Sequence, residues 1–257
     1  MMIWSQGDSG AVTVTAPDQA SLLADLKGRF EAGEGFSLAT LNLDHVVKLS
    51  RNPLFRDAYA AHTHVTADGN PIVWLSRLAR QEVTLVPGSE LIEPLAALAA
   101  ECRVPVALFG ATQAALEKAA EALKSRHAGL EIALCRSPDM SFDPLGPAAA
   151  EDIDAIARSG ARVCFLALGA PKQEIFAARA QGTLPSVGFV SIGAGLDFIA
   201  GAQQRAPVWV RRLSAEWLWR LAGNPRRLAA RYAACFRILP QMTGRAWRIR
   251  RRHGAMS

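Results

Sequence analysis

Three short stretches of this chain combine residue types that do chemistry on hydroxyls and phosphates. Asp68-Gly69 closes an alternating β-branched run, His62–Ala67. A carboxylate therefore stands where a parallel strand ends, at the rim on which doubly wound sheets bind ligands. There it can take a proton from a hydroxyl, although the same dipeptide also fits a turn that caps the next helix. Thr40-Leu41-Asn42 ends the preceding apolar run and offers a hydroxyl and an amide to the same crevice. Gly169-Ala170-Pro171-Lys172-Gln173-Glu174 reads as a strand-to-helix junction. Gly169 admits close approach of a ligand, Pro171 pre-sets φ at the helix start, and Gln173 lies in the first turn, where free N–H groups favour anions. A junction without a ligand fits as well, with Glu174 complementing the helix dipole. A fourth stretch, Ser191–Gly201, sets small residues around a lone Asp197 and only loosely matches a phosphate loop.

Motifs that are missing narrow the chemistry. There is no G-x-G-x-x-G, no G-x-x-x-x-G-K-S/T, no H-E-x-x-H and no D-x-D after a strand, which disfavours a nicotinamide dehydrogenase, a nucleotide triphosphatase, a zinc hydrolase and a metal-bridged nucleotide–sugar site. His62 and His64 read as an ordinary pair on one side of a strand, with no third ligand. Neither metal nor cofactor is expected, so cationic side chains have to neutralise any bound diphosphate.

The elements that must position these residues alternate. Helical spacing marks Ser21–Glu31, Leu43–Leu49, Pro71–Arg80, Leu91–Glu101, Gln113–Arg126, Glu151–Ser159 and Lys172–Gln181. Between them, Phe36–Leu41, His62–Ala67, Glu82–Val86, Val104–Phe109, Leu130–Cys135, Ala161–Leu168 and Ser186–Ile192 read as strands. Strand–turn–helix units in series call for a parallel sheet covered by helices on both faces, a Rossmann-like α/β fold. After Gly201 no strand is apparent. Val208–Leu221 and Arg226–Leu239 are helical in pattern, with Trp, Phe and Arg interleaved.

Charge divides the chain at the same place. The 257 residues, half of them hydrophobic and a fifth charged, carry +6 overall. From Arg205 onward there are 13 Arg, no Lys and one acid, Glu216, a charge of +12, whereas residues 1–204 hold 16 bases against 22 acids, or −6. We expect a catalytic domain over 1–204 and a basic helical appendage over 205–257 that seeks polyanions. Cys102, Cys135, Cys164 and Cys235 show no C-x-x-C spacing and read as buried, reduced thiols. The N-terminus lacks the basic and apolar regions of a signal peptide, and no apolar run reaches the roughly 18–20 residues that span a bilayer. The expected location is cytoplasmic.

Taken in order, several stretches are similar to one family: ATLNLDHVVKLSRNPLFRDAY (39–59), TADGNPIVWLSRL (66–78), VPGSEL (86–91), LFGAT (108–112), LALGAPKQEIF (166–176), SIGAGLDFIAGAQQRAPVW (191–209) and AEWLWRL…NPRRLAARY (215–232). They resemble the WecG/TagA/CpsF glycosyltransferases, glycosyltransferase family 26. The resemblance implies an inverting transfer of a sugar from a UDP-sugar to a polyprenyl-diphosphate-linked acceptor. The sugar is of N-acetylmannosamine type, or of glucose type in exopolysaccharide synthesis. By that resemblance Asp68 is the general base, with Thr40 and Asn42 orienting substrate beside Gly69. Gln173 contacts the donor near Gly169, and Asp197 lies on the substrate side. Arg220, Arg226, Arg227 and Arg231 close over the diphosphate. The Trp–Arg mixture implies a peripheral site on the inner face of the cell membrane. A homo-oligomer is compatible with this, and nucleic acid is not expected as a partner.

The chain departs from the pattern in places. Leu85 stands where relatives often carry Arg, with Arg77 and Arg80 near in sequence. Glu90 replaces Asp, Ser191 replaces Gly, and Pro138–Phe142 replaces a Gly-Tyr-Phe-like loop. Two other readings are a nucleic-acid-binding protein using the basic tail, and an inactive family member serving as an assembly partner.

Overall fold

The computed structural model describes residues 2–202, 207 and 216–254, apart from the side chains of Glu216, Arg220, Arg227 and His253. A small antiparallel hairpin comes first, β1 (Ser5–Gly7) and β2 (Gly10–Val12). The first part of the alternating region runs α1 (Gln19–Ala32), β3 (Phe36–Leu41), α2 (Leu43–Leu49), α3 (Pro53–Ala61), β4 (His64–Ala67), α4 (Asn70–Leu78) and α5 (Gly88–Glu101). It continues through β5 (Val106–Gly110), α6 (Gln113–Arg126), β6 (Ile132–Arg136), α7 (Pro147–Arg158), β7 (Val163–Ala167), α8 (Lys172–Thr183), β8 (Gly188–Ser191) and α9 (Gly195–Ile199). Two further helices follow, α10 (Glu216–Gly223) and α11 (Pro225–Gly254).

Strands β3 to β8 form one parallel sheet in the order β4-β3-β8-β7-β5-β6. Their period-2 alternation sends successive side chains to opposite faces, and both faces are covered. Val163 and Phe165 of β7 join Leu22, Leu95 and Leu116 of α1, α5 and α6. Cys164 and Leu166 of the same strand join Ile153 of α7 and Phe176 of α8. A third cluster sets Ala39, Leu41 and Ala67 of β3 and β4 against Val46, Phe55 and Ile72 of α2, α3 and α4. The architecture is α/β and Rossmann-like. Helix starts are fixed locally: Asp18, Asn42, Asn52 and Thr112 each cap with a side-chain oxygen, accepting from the amides of Ser21, His45, Phe55 and Ala115 at 2.8–3.3 Å.

Register decides what reaches the rim. Thr40 pairs with Thr66 and Leu41 with Ala67, so Asn42 and Asp68 leave adjacent parallel strands side by side. The Asp68 N–H donates to the Leu41 carbonyl at 2.7 Å and ties the two exits together.

Several expectations need correcting. Glu82–Val86 is not a strand. Its contact with β4 is one main-chain bond, Val86 N–H to Ala67 O at 2.8 Å, and one side-chain bond from Thr66, and Pro87 has no N–H to extend it. His62 is the C-cap of α3, and β4 begins at His64, so the two histidines do not share a strand face. Cys164 and Cys235 are buried, but Cys102 and Cys135 are only half-buried, because Cys102 ends α5 and Cys135 lies on the edge strand β6. The hairpin and helices α3 and α9 were not anticipated. Residues 208–215 of the helix expected over Val208–Leu221 lie outside the described residues.

The helix expected over Arg226–Leu239 runs on to Gly254 and carries a buried stripe. Cys235, Met242 and Ala246, with Ile238, Leu239 and Ile249 beside them, recur at helical spacing and pack α11 onto α2 and α4. Met242 and Ala246 share a cluster with Met2 and Trp4. Among the described residues, no helix is long and apolar enough to cross a membrane.

Candidate functional site

The site is assembled at the carboxyl ends of β3, β4, β7 and β8. Asp68 follows β4 directly, and Gly69 then turns the chain at φ 122°, a backbone that side chains rarely adopt, to become the N-cap of α4. The capping position is thus filled by Gly69 and not by Asp68. Thr40 is 3% exposed, and its methyl lies under Gly88, where an added Cβ would come within 3.1 Å. Asn42 caps α2 through Oδ1, which accepts the His45 N–H at 3.0 Å.

Across the rim, Gln173 and Glu174 open α8, and both are buried. Gln173 Nε2 donates to Glu174 Oε1 at 2.8 Å, and Gln173 Oε1 accepts the Gly193 N–H at 3.2 Å, which joins α8 to the turn after β8. Burial pushes the Glu174 carboxyl up to about 7, against the pull of its Gln173 and backbone hydrogen bonds and of Lys48. Helix α3 packs on α8 and brings Tyr59 into the same region. Burial first, then the charges of Glu174 and Asp68, raise its phenol well above the usual range. The Tyr59 hydroxyl lies 2.9 Å from His45 Nδ1. Burial, helped by Lys48, drives His45 down to about 3, so its ring is neutral.

Next to this rim is a cavity of about 450 Å³ lined by Asp44, Lys48, Arg51, Pro171 and Arg231, with Val47, Ala230 and Ala234 as apolar wall. Lys48 Nζ donates to the Ala170 carbonyl at 3.1 Å and so fastens α2 to the Gly169–Pro171 junction. Asp44 pairs with both Lys48 at 2.9 Å and Arg231 at 3.0 Å, joining α2 to α11. Three cations against one carboxylate leave the cavity positive, the character needed to hold a phosphorylated ligand.

With this geometry in view, comparison with known families is decisive: the Glycosyl transferase WecG/TagA/CpsF family matches residues 9–254. The chain belongs to that family. It is a glycosyltransferase of the WecG/TagA/CpsF type, and sugar donor and acceptor are its substrates.

Within this glycosyltransferase, Thr40, Asn42, Asp68 and Gly69 gather at the ends of β3 and β4. Gly169 and Gln173 lie at the junction of β7 and α8. Asp197 sits apart on α9, which packs on α5 and α6, and burial raises its carboxyl. Arg226 is exposed at the start of α11, and Arg231 is held by Asp44. The side chains of Arg220 and Arg227 lie outside the described residues. Among the described residues no three His, Cys, Asp or Glu side chains gather as for a metal ion. His62 Nδ1 instead donates to the Ala58 carbonyl at 2.6 Å, and His64 lies 2.8 Å from Asp25 Oδ2.

Reading by motif missed Lys48, Arg51, Asp44, Tyr59 and the burial of Glu174. For Glu174 a signal was present: it lies one helical turn before Ala177, on the stripe with Gln173, Phe176 and Ala180 that faces the core. Helix α10 and the outer side of α11 expose Trp217, Trp219, Phe236 and Trp247. Trp217 packs edge-on against Tyr232 and Phe236, with ring centroids 5.8 and 5.6 Å away, and Arg251 lies 4.6 Å over Trp247.

Proposed function

We propose that this glycosyltransferase moves a sugar of N-acetylmannosamine or glucose type from a UDP-sugar to a polyprenyl-diphosphate-linked acceptor, with inversion, in bacterial surface or exopolysaccharide synthesis. The acceptor hydroxyl oxygen attacks the anomeric carbon, the bond from that carbon to the β-phosphate oxygen breaks, UDP leaves, and the hydroxyl proton passes to Asp68. Thr40 and Asn42 orient the reacting groups, Gly69 and Gly169 leave them room, and Gln173 and Asp197 serve the donor side. Arg220, Arg226, Arg227 and Arg231, with Lys48 and Arg51, neutralise the leaving diphosphate, so the reaction has no need of a metal.

Residues 1–204 act as the catalytic domain. Residues 205–257 reach both the nucleotide and the membrane, and hold the enzyme peripherally on the cytoplasmic face. The observation that carries this reading is the β3–β4 register, from which Asn42 and Asp68 emerge together on the rim that the positive cavity adjoins.

The test is a panel of UDP-sugars with a short polyprenyl-diphosphate-sugar acceptor, read by the mass of the product. With the best donor, Asp68→Asn should reduce turnover by about 100-fold or more, the usual share of a general base. Turnover near the wild-type rate would remove Asp68 from that role. Failure of every UDP-sugar would overturn the donor class.

A further inference from the structure

Gln173 and Glu174 are neighbours in the first turn of α8 and are 2% and 0% exposed. A side-chain amide has two ends of opposite hydrogen-bonding sense. In Gln173 the NH₂ end donates to Glu174 Oε1 and the oxygen end accepts the Gly193 N–H. Turning the amide over would set its oxygen against an acceptor-only carboxylate and its NH₂ against the Gly193 N–H. Two favourable contacts would become two repulsive ones.

Gly193 belongs to the turn that leaves β8, which lies between β3 and β7 inside the sheet. The turn is tied to β7 through Ile192 N–H and Leu166 O at 3.1 Å, and closes with Gly195 N–H on Ile192 O at 3.2 Å. Gly193 itself has φ 58°. The Gln173 bond ties this turn to α8.

Stability does not account for the carboxyl in this place. Its second oxygen, Oε2, is buried without a hydrogen-bond partner, and burial of such a group is unfavourable compared with an apolar side chain of similar size. Around it stand Lys48 of α2, which favours the ionised form, and Tyr59 of α3, whose phenol feels both Glu174 and Asp68.

We propose that Glu174 is a positioning residue for donor binding: its carboxylate selects the Gln173 orientation that holds Gly193, and thereby fixes the 192–195 turn at the rim of the sheet. The purpose of the turn rests on the transferase reading above, but the latch itself does not. Gln173 then acts on the donor through the main chain it holds, and not only through its own amide.

Two variants test this. In Glu174→Gln the new side chain still offers an oxygen to Gln173 Nε2, so Gly193 stays held. In Glu174→Leu that acceptor is gone. Amide hydrogen exchange at Gly193, followed by NMR in the full-length protein, should speed up in the Leu variant and stay near wild type in the Gln variant. The donor KM should rise about tenfold in the Leu variant and stay near wild type in the Gln variant, while the thermal midpoint of the Leu variant falls because the buried Gln173 Nε2 loses its acceptor.

A merely structural carboxyl would lower the midpoint while leaving the donor KM at its wild-type value in both variants, which would overturn the proposal. Unchanged Gly193 exchange in Glu174→Leu would overturn the latch, whatever the enzyme transfers. Faster exchange with an unaltered donor KM would overturn its part in donor binding. A wild-type protein that turns over no UDP-sugar fails the transferase reading instead, and the exchange result is still decided.

Discussion

Glu174 binds its proton more tightly in the folded chain, at about 7 against 4.5. Between those values the folded protein holds a proton that the unfolded chain has released, so this group makes stability fall as pH rises from about 4.5 to 7, with no further change above. The buried His45 and His62, pushed down to about 3 and about 4, act in the opposite sense. Below 6.5 the unfolded chain takes up protons that these rings refuse. Comparison of wild type with Glu174→Gln separates the carboxyl from the histidines. In urea unfolding across roughly pH 4.5–8 the Gln variant should gain on the wild type up to about pH 7 and then run parallel. A difference that stays flat would show an ordinary carboxyl. The places of Asp68 and Asn42 at the ends of β4 and β3 were legible from sequence, because each follows an apolar run, with Gly69 after Asp68 and Asn42 itself a helix-capping residue. The setting of Glu174 was not, because it is made by α3 and by the turn after β8, which lie far from it in the chain.

The strands of the sheet were legible as elements where an apolar run was long enough, as in Phe36–Leu41 and Ala161–Leu168. Glu82–Val86 has the composition of a strand but makes only scattered main-chain bonds, to Pro17 and Ala67, and no strand ladder. Helix α3 begins with the clear signal Asn52-Pro53, yet Arg56 and Asp57 interrupt its apolar pattern, and its hold comes from Phe55, Ala58 and Tyr59 against neighbouring elements. Glycines show how the elements meet. Gly28 of α1 is exposed with nothing within 4 Å of an added Cβ, so Gly28→Ala should stabilise the protein by about 0.5–1 kcal/mol through helix propensity. At Gly88 an added Cβ would lie 2.9 Å from the Ser191 carbonyl oxygen and 3.1 Å from Thr40 Cγ2, backbone and buried side chain that have little room to move. Gly88→Ala should cost about 1–3 kcal/mol and push α5 away from Thr40, so that turnover falls with stability. Urea denaturation of the two variants would give opposite signs, and equal signs would refute the packing argument.

Over the whole molecule, the charge division at Gln204 was visible in composition, but composition concealed how α11 is attached. Arginines dominate its sequence, and the stripe through Cys235, Met242 and Ala246 binds it to α2 and α4 nonetheless. The proposed membrane contact must therefore use its outer side. Arg237, Arg248, Arg250 and Arg252 are exposed there. Replacing all four by Gln should weaken binding to phosphatidylglycerol vesicles by about 100-fold or more, at about 1 kcal/mol for each arginine near an anionic surface, with the unfolding midpoint unchanged. Vesicle binding that survives the change would show that the tail does not work by charge.

Met2 and Trp4 complete their cluster with Met242 and Ala246, so the first and last parts of the chain are buried together. During synthesis Met2 and Trp4 precede residues 242–246 by far, and until α11 is made they have only the earlier members of their cluster, Val12, Phe55 and Tyr59 among them, as partners. The cluster behind the half of the sheet that bears Asp68 is therefore the last to be completed, while β5 and β7 find their strand partners within residues 106–191. Pulsed hydrogen exchange during refolding should protect the amides of Val65 and Ala67 after those of Leu108 and Phe165, and simultaneous protection would contradict that order. Asp68, the proposed general base, thus gains the full packing behind its strand only once α11 has been made, and a product that ends before α11 lacks the support α11 gives to α2 and α4.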